Sequence, residues 1–331
     1  MPYDPLIRWE TEGGAVDPID GGEPAEHGSP SRSGRVRADR RAVIVVGVDG
    51  SSHGREALKW ALAAARSRNA RLRAVHAWSV PSLLRPGELT GSVDGLLGAL
   101  RDSAAEVLIG ELEPIRDEDN GTPVEEVVVE QQPAEALVQA SAEADLLVVG
   151  SRGLGSLAGT LLGSVSQQCV QHARCPIAVI HSAHHGDRSR IVVGFDGSTG
   201  ARTALEWATE EAGRRRTSVL AVCAYNETPA VAAAGPWSSG ALSELRQGLR
   251  LGAERVLEEA ERFVGAIPVS TRAVHGPTAN ALLVAASDAQ LLVVGSRGRG
   301  GFKSLVLGSV SQYCAARAPG AVVVVRGAPD H

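Results

Sequence analysis

The chain has 331 residues, 44% of them apolar, and a formal net charge of −5. That length suggests two or more domains of ordinary size, and the mild negative charge provides no electrostatic footprint for nucleic acid or an anionic membrane. The four cysteines, Cys169, Cys175, Cys223 and Cys314, form no CxxC pair, which argues for free thiols and against a zinc site. The first residues lack a charged-then-apolar leader pattern, and no apolar run approaches the ~20 residues of a membrane helix, so a cytoplasmic protein is expected.

Residues 1–40 are rich in Gly, Pro, Asp, Glu, Ser and Arg. Such a stretch buries too little to offset its ordering entropy and is expected to be a disordered tail. Ordered sequence begins at "RAVIVVGVDGSS", whose continuous β-branched run reads as a strand buried on both faces. Ser51 or Ser52 can cap a helix running to about Arg66, with Ala57, Leu58, Ala61, Leu62 and Ala65 on one face. "LRAVHAW" is strand two, Gly87 to Gly95 a loop, and Asp94 to Arg116 a long helix. "VEEVVVE" is strand three, Pro133 opens a short helix, and "DLLVVG" is strand four. A Gly-rich loop, a helix from Ser164 and "PIAVI" as strand five complete the series. Strands alternating with helices predict a parallel sheet covered on both faces.

The series then repeats. "VGVDGSS" returns as "VGFDGST", so Asp49 corresponds to Asp196. "ALKW" returns as "ALEW", "LLVVGSRGLG" as "LLVVGSRGRG", and "LGSVSQ" occurs twice. Phrases copied in order indicate a duplicated domain, with a period far too long for a solenoid of about 20–50-residue repeats. The expected organisation is a tail over 1–40, a domain over 41–182, a linker over 183–189 and a second domain over 190–327.

Ligands of open parallel sheets sit at the carboxyl ends of strands where the strand order reverses. Two loops leave a strand there in each copy. One is Asp49-Gly50-Ser51. The other places two residues between Gly150 and Gly153, and nine between Gly153 and Gly163, with Ser164 next. Gly295, Gly298, Gly308 and Ser309 repeat that frame while the residues inside it diverge. Glycines let a backbone approach a ligand closely, successive N–H groups form anion-binding nests, and a helix start favours a phosphate. The frame therefore suits a phosphate chain; the plain alternative is a strand-to-helix turn. No GxxxxGK[ST] occurs, and the GxGxxA match at Gly153, Gly155 and Ala158 is broken in the second copy by Lys303, which disfavours a dinucleotide.

In these phrases the chain resembles the universal stress proteins, in their tandem ATP-binding form, over about residues 41–327. The resemblance implies two five-stranded α/β sandwiches of Rossmann-like type with strand order 3-2-1-4-5. It implies ATP, with Mg²⁺, held by Gly150, Gly153, Gly163 and Ser164 and by Gly295, Gly298, Gly308 and Ser309. Asp49 and Asp196 match the acid that meets the nucleoside; ribose hydroxyls would give that carboxylate donors. By the same analogy, backbone near His76-Ala77 and Cys223-Ala224 meets the adenine edge. Arg152 and Arg297 lie inside the frame, either on phosphate or in solvent. The last strands, Ile177 to Ile180 and Val322 to Val325, could pair within the chain, since each is an apolar edge if left alone; a homodimer is a further expectation. "ARCPIAVI" becomes "APGAVVVV", so the proline moves two positions and the packing of that edge is questioned.

His181, His184 and His185 read as a solvated linker, Cys169 and Cys314 as small core residues, and Glu258, Glu259 and Glu261 as a solvated helix face. No Ser-His-Asp or Cys-His set is assignable, so any ATP hydrolysis should be slow. The expected function is a nucleotide-dependent sensor or regulator, which the resemblance connects with stress response or growth control through an unknown partner. The alternative is a protein-interaction module with vestigial sites; a hydrolysing or transferring enzyme is disfavoured by the missing base.

Overall fold

The computed structural model of the protein describes residues 41–80, 93–118, 121–155, 161–181, 190–227, 239–263, 267–299 and 306–326. The expected tail and most of the expected linker, with His184 and His185, lie outside them.

The first half runs β1 (Val43–Gly47), α1 (Ser52–Arg68), β2 (Arg71–Trp78), α2 (Val93–Glu118), β3 (Val124–Glu130), α3 (Pro133–Ala140), β4 (Leu146–Gly150), α4 (Ser164–His172) and β5 (Ile177–Ile180). The second repeats it as β6 (Arg190–Gly194), α5 (Thr199–Arg215), β7 (Ser218–Tyr225), α6 (Ser239–Glu261), β8 (Val269–His275), α7 (Thr278–Ala285), β9 (Leu291–Gly295), α8 (Ser309–Arg317) and β10 (Val322–Val325). Ser51 caps α1 through its side chain, the helix runs to Arg68, two residues beyond the expected Arg66, and Asn69 ends it in the left-handed conformation at φ 49°. Helix α2 starts at Val93 and so absorbs Gly95, which the sequence placed in a loop.

All ten strands form one sheet, in the order β3-β2-β1-β4-β5-β10-β9-β6-β7-β8. Each half is parallel with the expected order 3-2-1-4-5. The halves join where β5 and β10 pair antiparallel, Val179 opposite Val322 and Ile177 opposite Val324. The moved proline leaves that edge intact, because Val322 to Val325 still pairs with β9 along its whole length. Alternate side chains of the strands feed two cores. Ile44 and Val46 face α1 and α2, whereas Val43 and Val45 face α3 and α4, and both cores run on into the second half. A sheet buried on both faces needs apolar residues at every strand position, which is why "VIVV" and "LLVV" show no alternation.

The junction is also held by reciprocal side-chain contacts. Arg68 on α1 lies over the Trp207 ring of α5 at 5.5 Å, and Arg215 on α5 lies over the Trp60 ring of α1 at 5.0 Å. His181 follows β5 and places Nε2 2.8 Å from the Ala315 carbonyl on α8; Arg326 follows β10 and donates to the Val170 carbonyl on α4 at 2.8 Å. His181 is thus part of the junction and not of a solvated linker. Between α1 and α5, fully buried Glu211 meets Arg68 at 2.6 Å, Arg215 at 2.6 Å and Arg214 at 3.6 Å. Burial, opposed by Glu211, lowers the Arg68 guanidinium to about 10.

Candidate functional site

Each half has a cavity at the carboxyl ends of its first and fourth strands, the point where the strand order reverses. The first is about 310 Å³ and is lined by Asp49, Gly150, Arg152, Gly153, Gly163 and Ser164 among others. The second is about 480 Å³ and is lined by Asp196, Gly295, Arg297, Gly298, Gly308 and Ser309 among others. Every glycine, serine and aspartate expected at the sites therefore converges on one of the two cavities.

The acidic turn after β1 is built first. Gly50 has φ 76° and Gly197 φ 74°, a region that favours glycine, so the chain reverses there at little cost. Asp49 Oδ1 accepts from the Ser51 backbone N–H at 3.0 Å and from its hydroxyl at 2.6 Å. Asp196 Oδ1 accepts from the Ser198 N–H at 3.0 Å, and its Oδ2 accepts from the Arg299 N–H at 2.9 Å. Each carboxylate thus braces its own turn, and in the second half it also anchors the glycine loop.

The glycines of the frame differ in their reasons. A Cβ on Gly150 would lie 2.8 Å from the backbone carbonyl of His53 at the start of α1, and one on Gly295 would lie 2.6 Å from that of Gly200. A Cβ on Gly153 would run into the Asp49 carboxylate, and one on Gly298 would lie 2.6 Å from Asp196 Oδ2. The backbone contacts require glycine at 150 and 295, whereas at 153 and 298 a Cβ would displace the aspartate carboxylate. Gly163 is under neither constraint: its φ of −69° suits any residue, and a Cβ there would meet ordinary contacts from 3.5 Å outward.

Gly163 and Gly308 occupy the N-cap positions of α4 and α8, and neither helix has a side-chain cap. Ser51 and Ser198, by contrast, cap α1 and α5 through their hydroxyls. The first N–H groups of α4 and α8 have no intrahelical acceptor, and the positive end of the helix dipole lies with them. A glycine cap thus leaves at the cavity wall the donors that a serine would have used. The Gly163 N–H itself is spent on the Ser151 carbonyl at 2.8 Å, as is that of Gly308 on Ser296. This moves the available donors from the glycine to Ser164, Val165 and Ser166 and their counterparts.

Sequence reasoning missed Ser166 and Ser311. Their buried hydroxyls donate at 2.6 Å to the Gly150 and Gly295 carbonyls, tying the helix start to the strand end. The signal was present, since the "GSVSQ" phrase is identical in both copies. Ala77, Cys223 and Ala224 line the cavities; the His76 ring turns away, with Nδ1 2.8 Å from the Val48 carbonyl. Arg152 is exposed and lies 3.3 Å from His53 Nε2, whereas Arg297 is half-buried. Burial first and Arg152 second lower the His53 imidazole below its ordinary value. Burial pushes the thiols of Cys169, Cys175 and Cys314 up to about 12 and that of Cys223 to about 11, so they stay protonated at neutral pH and make poor nucleophiles. The expected solvated face of α6 lies at the surface, Glu258 and Glu261 exposed and Glu259 half-exposed, where Glu258 pairs with Arg262, Glu259 with Arg202, and Glu261 accepts from Thr271. Among the described residues no three His, Cys, Asp or Glu side chains cluster as a metal site, and no helix is long and apolar enough to cross a membrane.

Known proteins share this architecture. A universal stress protein of Archaeoglobus fulgidus superposes with a TM-score of 0.59 at 20% identity, over 87% of this chain and 97% of that one. A universal stress protein of Mycobacterium tuberculosis is 35% identical over 292 residues, 86% of this chain and 96% of its own length. One from Mycolicibacterium smegmatis is 33% identical over 291 residues, with the same coverage of both chains. The universal stress protein family model matches twice, at residues 41–181 and 188–326. Two matches in tandem, on two halves with the same strand order, make the chain a member of the universal stress protein family.

Proposed function

We propose that each half binds an adenine nucleotide, ATP with Mg²⁺, and that the chain acts as a nucleotide-dependent sensor or regulator rather than an efficient enzyme. One observation carries this reading: in both halves the glycine frame, an N-terminal helix turn without a side-chain cap and an Asp-Gly-Ser turn converge on one cavity at the strand-order reversal. The phosphates would lie on Gly153, Ser164 and the first N–H groups of α4, and on Gly298, Ser309 and α8. Asp49 and Asp196 would take the ribose, and the adenine would rest near Ala77 and Ala224. Mg²⁺ would be held chiefly by phosphate oxygens, with the Ser164 or Ser309 hydroxyl as an added ligand.

Regulation requires ATP to favour one conformation over another, since tight binding alone shifts nothing. The loops between Gly153 and Gly163 and between Gly298 and Gly308 are the elements whose contacts nucleotide would change. Because β5 and β10 already cover each other, a second chain or a regulated protein would have to meet another surface. Stress response or growth control is the setting this proposal adopts from the family.

Calorimetric titration of nucleotide-free protein with ATP and Mg²⁺ is the test. Two sites per chain are expected, and Gly163→Val should remove the first. A Cβ at that position meets backbone only at ordinary distances from 3.5 Å outward, and thermal unfolding of the variant checks that the fold is kept, so that lost binding reports on the ligand. Absence of binding by well-folded protein would overturn the proposal and favour an interaction module.

A further inference from the structure

The two cavities differ in charge at one position. Where the first half places Leu154 on the cavity wall, the second places Arg299. Leu154 is 77% exposed, an apolar side chain at the rim of a loop suited to an anion. Arg299 lines the corresponding rim, held there by its N–H on Asp196 Oδ2, with its guanidinium beside the Gly197 turn and near the Glu259 carboxylate. The charged side chains lining the first cavity are Asp49 and Arg152; those lining the second are Asp196, Arg297 and Arg299.

A second difference reinforces the first. In the first half Arg152 donates to the ring of His53, drawing its guanidinium toward the start of α1. Gly200 occupies the equivalent place in the second half and offers Arg297 no side chain; a Cβ there would meet the Arg297 carbonyl oxygen at 2.5 Å. Among the described residues, one guanidinium, partly engaged by His53, lines the first site of about 310 Å³, and two, one of them near Glu259, line the second of about 480 Å³.

We propose that the two sites differ in how strongly they discriminate by phosphate charge: the second favours the polyphosphate form over the monophosphate more strongly than the first does. This rests on the nucleotide reading above. A guanidinium added beside a phosphate chain contributes Coulomb attraction and charge-assisted hydrogen bonds that grow with the number of phosphates, so it favours ATP over AMP. A leucine at the same place contributes neither and excludes water that would solvate a terminal phosphate.

The test uses the full chain in EDTA, so that ligand charge rises with each phosphate. ATP and AMP are titrated while amide NMR follows the Gly153 and Gly298 signals separately. The preference for ATP over AMP should be about tenfold greater at Gly298 than at Gly153, the order expected for one added, partly solvated ion pair. Arg299→Leu should erase most of that difference, weakening ATP much more than AMP, and Leu154→Arg should raise ATP affinity at the first site. Equal preferences at the two sites, or an Arg299→Leu variant that weakens AMP as much as ATP, would overturn the proposal while leaving nucleotide binding intact. If neither signal responds to either ligand, in EDTA or after Mg²⁺ is added in excess, the nucleotide reading itself falls, and this inference with it.

Discussion

Beside the glycine frame the first half places a leucine and a histidine, and the second an arginine and a glycine. Both halves brace an Asp-Gly-Ser turn, both start the post-loop helix on an uncapped glycine, and both tie that helix back through a buried serine. These shared features shape the backbone. The differences include side chains that line the cavities, such as Leu154 and Arg299, and side chains at the junction of the halves, such as Ala64 and Glu211. Duplication followed by divergence would leave this pattern, because backbone geometry tolerates few changes whereas an exposed rim tolerates many.

The junction carries the sharpest asymmetry. Glu211 is fully buried among three arginines, and its counterpart in the first half is Ala64. Glu211→Ala should therefore have the largest effect, leaving Arg68 buried without its acid; about 3–5 kcal/mol of stability should be lost in denaturant unfolding. Copy-on-copy pairing of either half with itself would bring two such acids together or leave the arginine with none.

The next contrast lies within one frame. Gly150→Ala forces a Cβ against the His53 backbone and should cost about 1–3 kcal/mol. Gly163→Ala meets ordinary contacts and should stay within about 0.5 kcal/mol of the parent. Thermal unfolding of the two variants side by side measures the difference; similar losses would mean that the two glycines share one structural role.

A smaller and symmetric effect is expected from Ser166→Ala and Ser311→Ala. Each removes one buried hydrogen bond to a frame carbonyl, worth about 1 kcal/mol in unfolding experiments. Unequal losses would show that the halves are not equally braced.

The smallest effect belongs to a surface cluster in the second half, whose acid is buried under exposed Arg246 and His275. Glu227 accepts from Arg246 and pairs with His275 at 2.6 Å, and these partners, His275 foremost, hold its carboxyl at about 2 against an ordinary 4.5. A lowered acid stabilises the fold above its ordinary value, and that contribution is lost as pH falls from about 4.5 toward 2. The carboxyl resonance of Glu227 should titrate near the lower value, and His275→Ala should move it upward. Val80 stands at the equivalent place in the first half, so no counterpart is expected there.

Most strands, the short helices and both glycine frames were legible in the sequence, because each has a local signature. "VIVV" and "LLVV" are continuous apolar runs, Pro133 marks a helix start, and the frame recurs with its spacing intact. Helix ends were less so. Asn69 closes α1 in a left-handed conformation just after the basic turn of Arg66 and Arg68, a stop signal present in "ARSRNA" that lies beyond the apolar face from which the helix was read. At the sites, the residues were legible but not their division of labour. That Gly153 makes room for Asp49, while Gly163 leaves helix donors uncapped, depends on distances across two loops.

The order of elements, the parallel character of each half and the duplication itself were determined by the sequence alone, since they follow from hydrophobic runs, chain punctuation and repetition read locally. The pairing of the two last strands was already an expectation from their apolar edges; only the tertiary structure decided its antiparallel register and the side chains that close it. His181 reads as linker until β5 and β10 pair; it and Arg326 then each find a carbonyl on the opposite half. Arg68 and Glu211 read as ordinary helix-surface charges until α1 and α5 close over the junction and remove them from water. The physical reason is the same in each case: burial and partner are properties of residues far apart in the chain, and no local pattern encodes them.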